Sequence, residues 1–203
     1  MPHAYAAEGE MRRLPFVIVL LLLGLTGCAS SPMRTGYLRN YDRLERGRHL
    51  DRYWADSRLV AQRKYSKVRL GGIDVGRISN GPGVTTEDCK AWFRGALGRT
   101  PSALSGHLVF DDAAPAQLDV AITEMTPGSA GARMFAGELG MGHAWVQAEG
   151  RVIDRQSQEE LVAWSDRRRS SAAIGFRDLG GDAGPTLVRE MLEQIAIDLE
   201  REL

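Results

Sequence analysis

His107 and His143 are residues that could act as general bases, with Ser105, Asp111 or Asp112 completing a hydrolase relay. A relay needs its nucleophile on a sharp turn with a base in hydrogen-bond reach, and the G-x-S-x-G turn that often supplies it is missing here. Ser105-Gly106-His107 runs directly into an apolar stretch, which predicts a place for His107 on a sheet face. The glycines from Gly137 to Gly142 could cradle a phosphate, but they precede a strand pattern and lack the lysine of a phosphate loop. They describe the entry to a hairpin, and no nucleotide is expected. Asp111-Asp112 falls short of the roughly six to eight oxygens that calcium prefers. Cys89 has no second cysteine or close histidine to build a zinc site. No catalytic residue and no metal ligand is therefore assigned, and the expectation is a protein that is not an enzyme.

Two further groups point to surfaces. Arg167, Arg168, Arg169 and nearby Arg177 form a candidate anion or partner patch, because guanidinium forks suit phosphate and carboxylate. The competing reading is a charged strand end pairing with Asp166 and Asp178. Trp145 and Trp164 lie in one hairpin. One face of that hairpin must be core, so a tryptophan on the other would mark a docking surface.

Cys28 carries the remaining chemistry. Arg12-Arg13 opens a basic stretch, and an almost unbroken apolar run follows from Leu14 to Leu25, about 12 residues against the roughly 20 of a membrane span. A basic region, a short apolar region and small residues make a secretory signal over residues 1–27. Met11 is the better start, since Glu8 and Glu10 are out of place ahead of such a signal. The ending Leu25-Thr26-Gly27-Cys28 resembles the bacterial lipobox. That resemblance implies cleavage between Gly27 and Cys28 and a covalent lipid on Cys28, with no other cofactor. Each buried methylene adds about 0.8 kcal/mol, so several acyl chains hold a protein firmly on its membrane. In that class an aspartate after the cysteine retains the protein at the inner membrane; here Ala29 follows, which implies the periplasmic face of the outer membrane.

Lys+Arg and Asp+Glu stand at 26 each, so the chain has no net field with which to collect nucleic acid. Residues 28–35 read as lipidated cysteine and tether, and 36–203 as one domain of a length that buries a sizeable core. The stretch from Gly36 through Trp54 reads as an irregular or partly helical arm whose aromatic residues pack on the body. Val68, Leu70, Ile73 and Val75 predict a strand bent at Gly71-Gly72. A helix follows, capped by Thr85 or Thr86 and running to about Leu97, with Cys89, Trp92, Phe93 and Ala96 at helical spacing and Cys89 as a buried small hydrophobe. Short strands are predicted at 107–110 and 118–122, then a hairpin of 144–153 with 161–164. Pro185 opens a final helix with Val188, Met191, Leu192, Ile195 and Leu199 on one stripe. The order β-α-β-β-β-β-α predicts an α/β (α+β) fold with a mixed sheet and both helices on one face.

Gly36-Tyr37-Leu38 with Tyr41 and Leu44 resembles the opening of one family of uncharacterised Gram-negative lipoproteins. Gly140-x-Gly142-x-Ala144, Val152-Ile153-Asp154 and Arg167-Arg168-Arg169 resemble a second such family, also a domain of unknown function. The element order is similar to the amino-terminal domain of TolB and to the polysaccharide-export lipoprotein PelC. These resemblances imply a lipid-anchored binding or assembly module that meets an envelope protein or copies of itself, a ring being one version. The alternatives are an envelope hydrolase using His107 or His143, and a lipid or glycan carrier, which needs a deep apolar cavity between sheet and helices.

Overall fold

The computed structural model describes residues 32, 34–58, 67–78, 84–97, 109–126, 143–170 and 183–203. Its elements are β1 (Arg52–Ala55), β2 (Lys67–Ile78), α1 (Thr86–Ala96), β3 (Val109–Phe110), β4 (Ala116–Thr126), β5 (Trp145–Asp154), β6 (Glu160–Arg169) and α2 (Ala183–Glu202). The strands form one mixed sheet in the order β1-β6-β5-β4-β2-β3. β2 runs parallel to β3 and β4, and the other pairs are antiparallel. Parallel strands need a crossover, and α1 lies in the one between β2 and β4. α1 packs on β2, α2 packs on β5 and β6, and the helices pack on each other, so both cover the same sheet face.

Alternation along the strands fixes the two faces. Leu118, Val120 and Ile122 of β4 point to the helices with Val146, Ala148 and Val152 of β5, and join Val188, Leu192, Ile195 and Leu199 of α2 in one core. The expected bend at Gly71-Gly72 is a register shift between Leu70 and Ile73. Thr85 caps α1 in a capping box: its hydroxyl accepts from Asp88 N–H (3.1 Å), and the Asp88 carboxylate accepts from Thr85 N–H (3.0 Å). The Thr85 hydroxyl also donates to the Asp88 carboxylate (2.6 Å), and this bond first, then the one from Thr85 N–H, holds the Asp88 carboxyl below its usual range. Cys89 is fully buried on α1, its thiol 3.5 Å from the Met125 sulfur, and burial pushes its pKa up to about 11. At the β5–β6 turn the Asp154 carboxylate accepts from the N–H groups of Gln156 and Ser157, both at 2.8 Å.

One element departs from the sequence reading. Arg52–Ala55, expected within an irregular or partly helical arm, is a strand on the outer edge of β6. Four residues give too short a pattern to announce a strand; pairing decides it. Tyr53 also exchanges both backbone hydrogen bonds with Glu45, so the arm caps this sheet edge with its own backbone. The order is thus β-β-α-β-β-β-β-α. The expected strand at 107–110 is described at Val109–Phe110; His107 and Leu108 lie outside the described residues.

Gly150 is where the core leaves least room. A Cβ there would sit 2.5 Å from the Trp164 ring. Gly150→Ala is expected to destabilise the domain by about 1–3 kcal/mol in urea unfolding. Gly72→Ala, whose Cβ would meet nothing closer than 3.8 Å, is expected to change little.

Candidate functional site

The sheet face away from the helices is polar, and the arm covers part of it. Leu38 and Leu44 pack on Ala163 of β6, with Tyr37, Tyr41 and Trp54 around them, in a small core separate from the main one. Beside it lies Glu149 of β5, whose side chain is fully buried. A buried carboxylate is tolerable only with hydrogen-bond donors, and the arm supplies them. The Tyr41 hydroxyl (2.7 Å) and the Thr35 hydroxyl (2.8 Å) both donate to Oε2 of Glu149, and the Gln147 amide donates to Oε1 (2.8 Å). The Tyr41 oxygen also accepts from the backbone N–H groups of Thr35 (3.2 Å), Gly36 (3.0 Å) and Leu38 (3.2 Å). One phenol thus folds the start of the arm around itself and fastens it to the sheet. Burial raises the pKa of Glu149 above the ordinary value of 4.5, against the opposing bonds from Tyr41, Thr35 and Gln147.

Next to this latch a groove of about 990 Å³ opens on the same face, lined by Arg34 and Tyr37 of the arm, Asp74, Glu124, Thr126 and Trp145. The Arg167 guanidinium stacks on Trp145, 3.9 Å from the ring centre, and lies 3.4 Å from the Glu124 carboxylate. Arg151 sits 3.7 Å from Asp119 and faces the Tyr37 ring. Burial, then the charge of Asp119, pushes the Tyr37 phenol up to about 12. The groove lies on the face opposite the one where a carrier cavity between sheet and helices would be.

The other side of β6 clamps the arm a second time. Arg168 bridges Asp166 (2.7 Å) and Asp198 of α2 (3.0 Å) and donates to the His49 carbonyl oxygen (3.2 Å). The Glu202 carboxylate accepts from the N–H groups of Arg48, His49 and Leu50, and Asp51 accepts from Arg167 N–H at 3.0 Å. Burial pushes Asp166 up to about 6, against the pull of Arg168.

The candidate arginine patch is therefore divided by strand alternation. Arg167 points to the polar face and is mostly buried, Arg168 points to the helices, and Arg169 returns to the polar side, where it is exposed. Arg177 lies outside the described residues, as do Gly27, Cys28, Ser105, His107, the glycine run 137–142 and Asp178. The hairpin tryptophans also separate: Trp164 is fully buried on the helix side, and Trp145 is half-buried at the groove. His143 Nδ1–H donates to the Ser170 carbonyl oxygen (2.8 Å), and the Ser170 hydroxyl accepts from Ala144 N–H (3.1 Å), joining the start of β5 to the end of β6. Asp111 folds a turn, accepting from Ala113 N–H at 2.9 Å. Among the described residues no group of three or more His, Cys, Asp or Glu is placed to hold a metal, and no helix is long and apolar enough to cross a membrane. Glu149 was not singled out by the sequence, and Tyr41 entered only through the resemblance of the arm to a lipoprotein family. The signal available was a tyrosine-rich arm in need of a surface and the polar run Gln147, Glu149, Arg151 on the outward positions of β5.

Two results are expected for the latch. Tyr41→Phe removes a donor to a buried carboxylate and the acceptor of three N–H groups, and is expected to cost about 2–3 kcal/mol and to speed tryptic cleavage within residues 34–48. Glu149 has the pH signature of a raised carboxyl. Above its ordinary pKa of 4.5 the unfolded chain has lost a proton that the folded chain still holds, so stability falls as pH rises through that window. Subtracting the stability of Glu149→Gln from that of the parent, pH by pH in urea, is expected to reveal this fall; a flat difference contradicts it.

No protein-family model matches the sequence, and no curated protein matches it. Solved structures are similar in backbone course at low sequence identity. A PelC dodecamer from Paraburkholderia phytofirmans gives a TM-score of 0.40 at 11% identity, covering 69% of this chain and 90% of that one. A Xanthomonas campestris protein from a family of unknown function gives 0.36 at 12%, covering 66% and 81%. A lipoprotein from Neisseria meningitidis gives 0.27 at 14%, covering 64% and 96%.

Proposed function

We propose that the protein is a lipid-anchored module of the bacterial envelope, held by Cys28 at the periplasmic face of the outer membrane, that binds a protein partner or assembles with itself. The observation that carries the reading is the open edge of the sheet. β2 pairs with β3 only at Lys67 and Val68, and among the described residues no strand pairs with its outer edge from Arg69 to Ile78. A strand edge offers a row of N–H and C=O groups to a partner strand. The opposite edge is closed by the arm, through Glu45 and Tyr53 and through Asp51 on Arg167 N–H. Among the described residues the domain is thus one-sided for strand addition, and the latch fixes where the tether leaves it. Membrane anchoring supplies the rest of the affinity by confining partners to a linker's reach.

The experiment is photo-crosslinking in the native envelope from a reactive amino acid at Asp74, exposed on β2, with Glu190, exposed on α2, as reference position. A discrete adduct from Asp74, a partner or a second copy, is expected, and it is expected to vanish in Cys28→Ser together with membrane fractionation. Capture from Glu190 alone contradicts the edge as the docking element. Unchanged fractionation of Cys28→Ser contradicts the lipid anchor.

A further inference from the structure

The neutral total charge conceals a division of charge within the molecule. The arm, residues 34–58, carries seven arginines against four carboxylates, a net of three positive charges. Helix α2 carries two arginines against five carboxylates, a net of three negative charges. Structure sets most of the two apart: the start of the arm is the outermost layer on the polar face while α2 covers the opposite face, and they meet where Glu202 at the end of α2 accepts from the N–H groups of Arg48, His49 and Leu50.

Part of the arm's charge is used internally. Arg34 pairs with Asp42, Arg43 pairs with Glu160 and stacks on Trp54, and Arg58 pairs with Asp56. Arg39, Arg46, Arg48 and Arg52 are exposed, and their side chains make no ion pair among the described residues. Two of them are neighbours in space as well. The Glu45–Tyr53 bridge sets Arg46 beside Arg52, and the charge of Arg39 acts on Arg43. Repulsion among unpaired guanidinium groups is a cost that an anionic surface would relieve.

We propose that this arginine face of the arm docks on the anionic phospholipid headgroups of the membrane that holds Cys28, with α2 turned away from the bilayer. The proposal rests on the lipid-anchor reading for its geometry. Five residues separate Cys28 from Arg34, six steps of chain with a reach of about 20 Å, so the arm cannot lie far from the headgroups. A helix layer packed behind the sheet, with acidic α2 in it, is the wrong distance and the wrong sign for the same contact. A basic segment beside an acyl anchor adds an electrostatic contact to the hydrophobic one, and each arginine near an anionic surface contributes independently. Docking by this face leaves the open edge of β2 pointing sideways, along the membrane, where a second anchored protein would meet it.

The test uses the protein purified from membranes and reconstituted into nanodiscs of phosphatidylcholine alone or with phosphatidylglycerol, the acyl group being read from the mass of the N-terminal peptide. Hydrogen exchange across residues 39–53 is expected to slow several-fold in the anionic discs, with α2 unchanged. The triple variant Arg39→Gln, Arg46→Gln, Arg52→Gln is expected to melt at the parent's temperature and to exchange alike in both discs. Equal exchange of the parent's arm in both discs, or slowing in α2 instead, overturns the proposal. An N-terminal peptide without an acyl group sinks the anchor reading separately. Arm docking is then read by flotation of the same protein with vesicles of the two compositions. Phosphatidylglycerol-dependent flotation, weaker by on the order of a hundredfold in the triple variant, sustains it. Flotation indifferent to lipid charge overturns it.

Discussion

A carboxylate buried on the wrong side of a sheet is the constraint around which the rest of this molecule is arranged. Glu149 faces away from the helices, on a strand position that would ordinarily meet water, and the arm removes that water. A bare carboxylate there would cost several kcal/mol, so arm and sheet cannot be considered apart. The Tyr41 hydroxyl is the hinge of the arrangement. It accepts from three backbone N–H groups of its own segment and donates a hydrogen bond to Glu149. Local folding of the arm and its docking on the sheet are therefore one event. The second clamp, from Arg168, Asp198 and Glu202 onto residues 48–51, holds the arm as it rounds the edge of β6.

The main core was legible because its periodicities are strong. Leu118, Val120 and Ile122 alternate cleanly, the α2 stripe repeats at helical spacing, and Thr85 with Asp88 announces a helix start. The polar face was not legible for the same reason in reverse. Gln147, Glu149 and Arg151 alternate with the core residues of β5 and so read as a solvated face, although Gln147 and Glu149 are buried. Nothing in β5 itself reveals that a segment about a hundred residues earlier lies on it. β1 was missed on similar grounds, since Arg52 to Ala55 becomes a strand through the free edge of β6 and not through its own propensity. The arginine triplet shows the limit of reading adjacency as proximity. On a strand, neighbours in sequence face opposite ways, and Arg167 and Arg168 serve different sides of the sheet.

These features give the N-terminal half of the arm a mechanical meaning. Whatever pulls on the residues before Arg34 pulls on Thr35 and Tyr41, and through them on the centre of the sheet. On the anchored reading proposed above, a loose linker would let the domain tumble. A latched arm gives it a fixed side, with exposed arginines outward on one face, acidic α2 on the other, and a strand edge between them that is unpaired among the described residues. Total charge says nothing of this, because opposite excesses on opposite faces cancel in the sum.

The most direct measurement of the latch is a double-mutant cycle between Tyr41→Phe and Glu149→Gln, read by urea unfolding. If the phenol and the carboxylate act as one unit, the two losses fall short of adding by about 1 kcal/mol or more. Losses that add to within about 0.5 kcal/mol would mean that the arm is held by its apolar contacts alone, and that Glu149 is not what fastens it to the sheet.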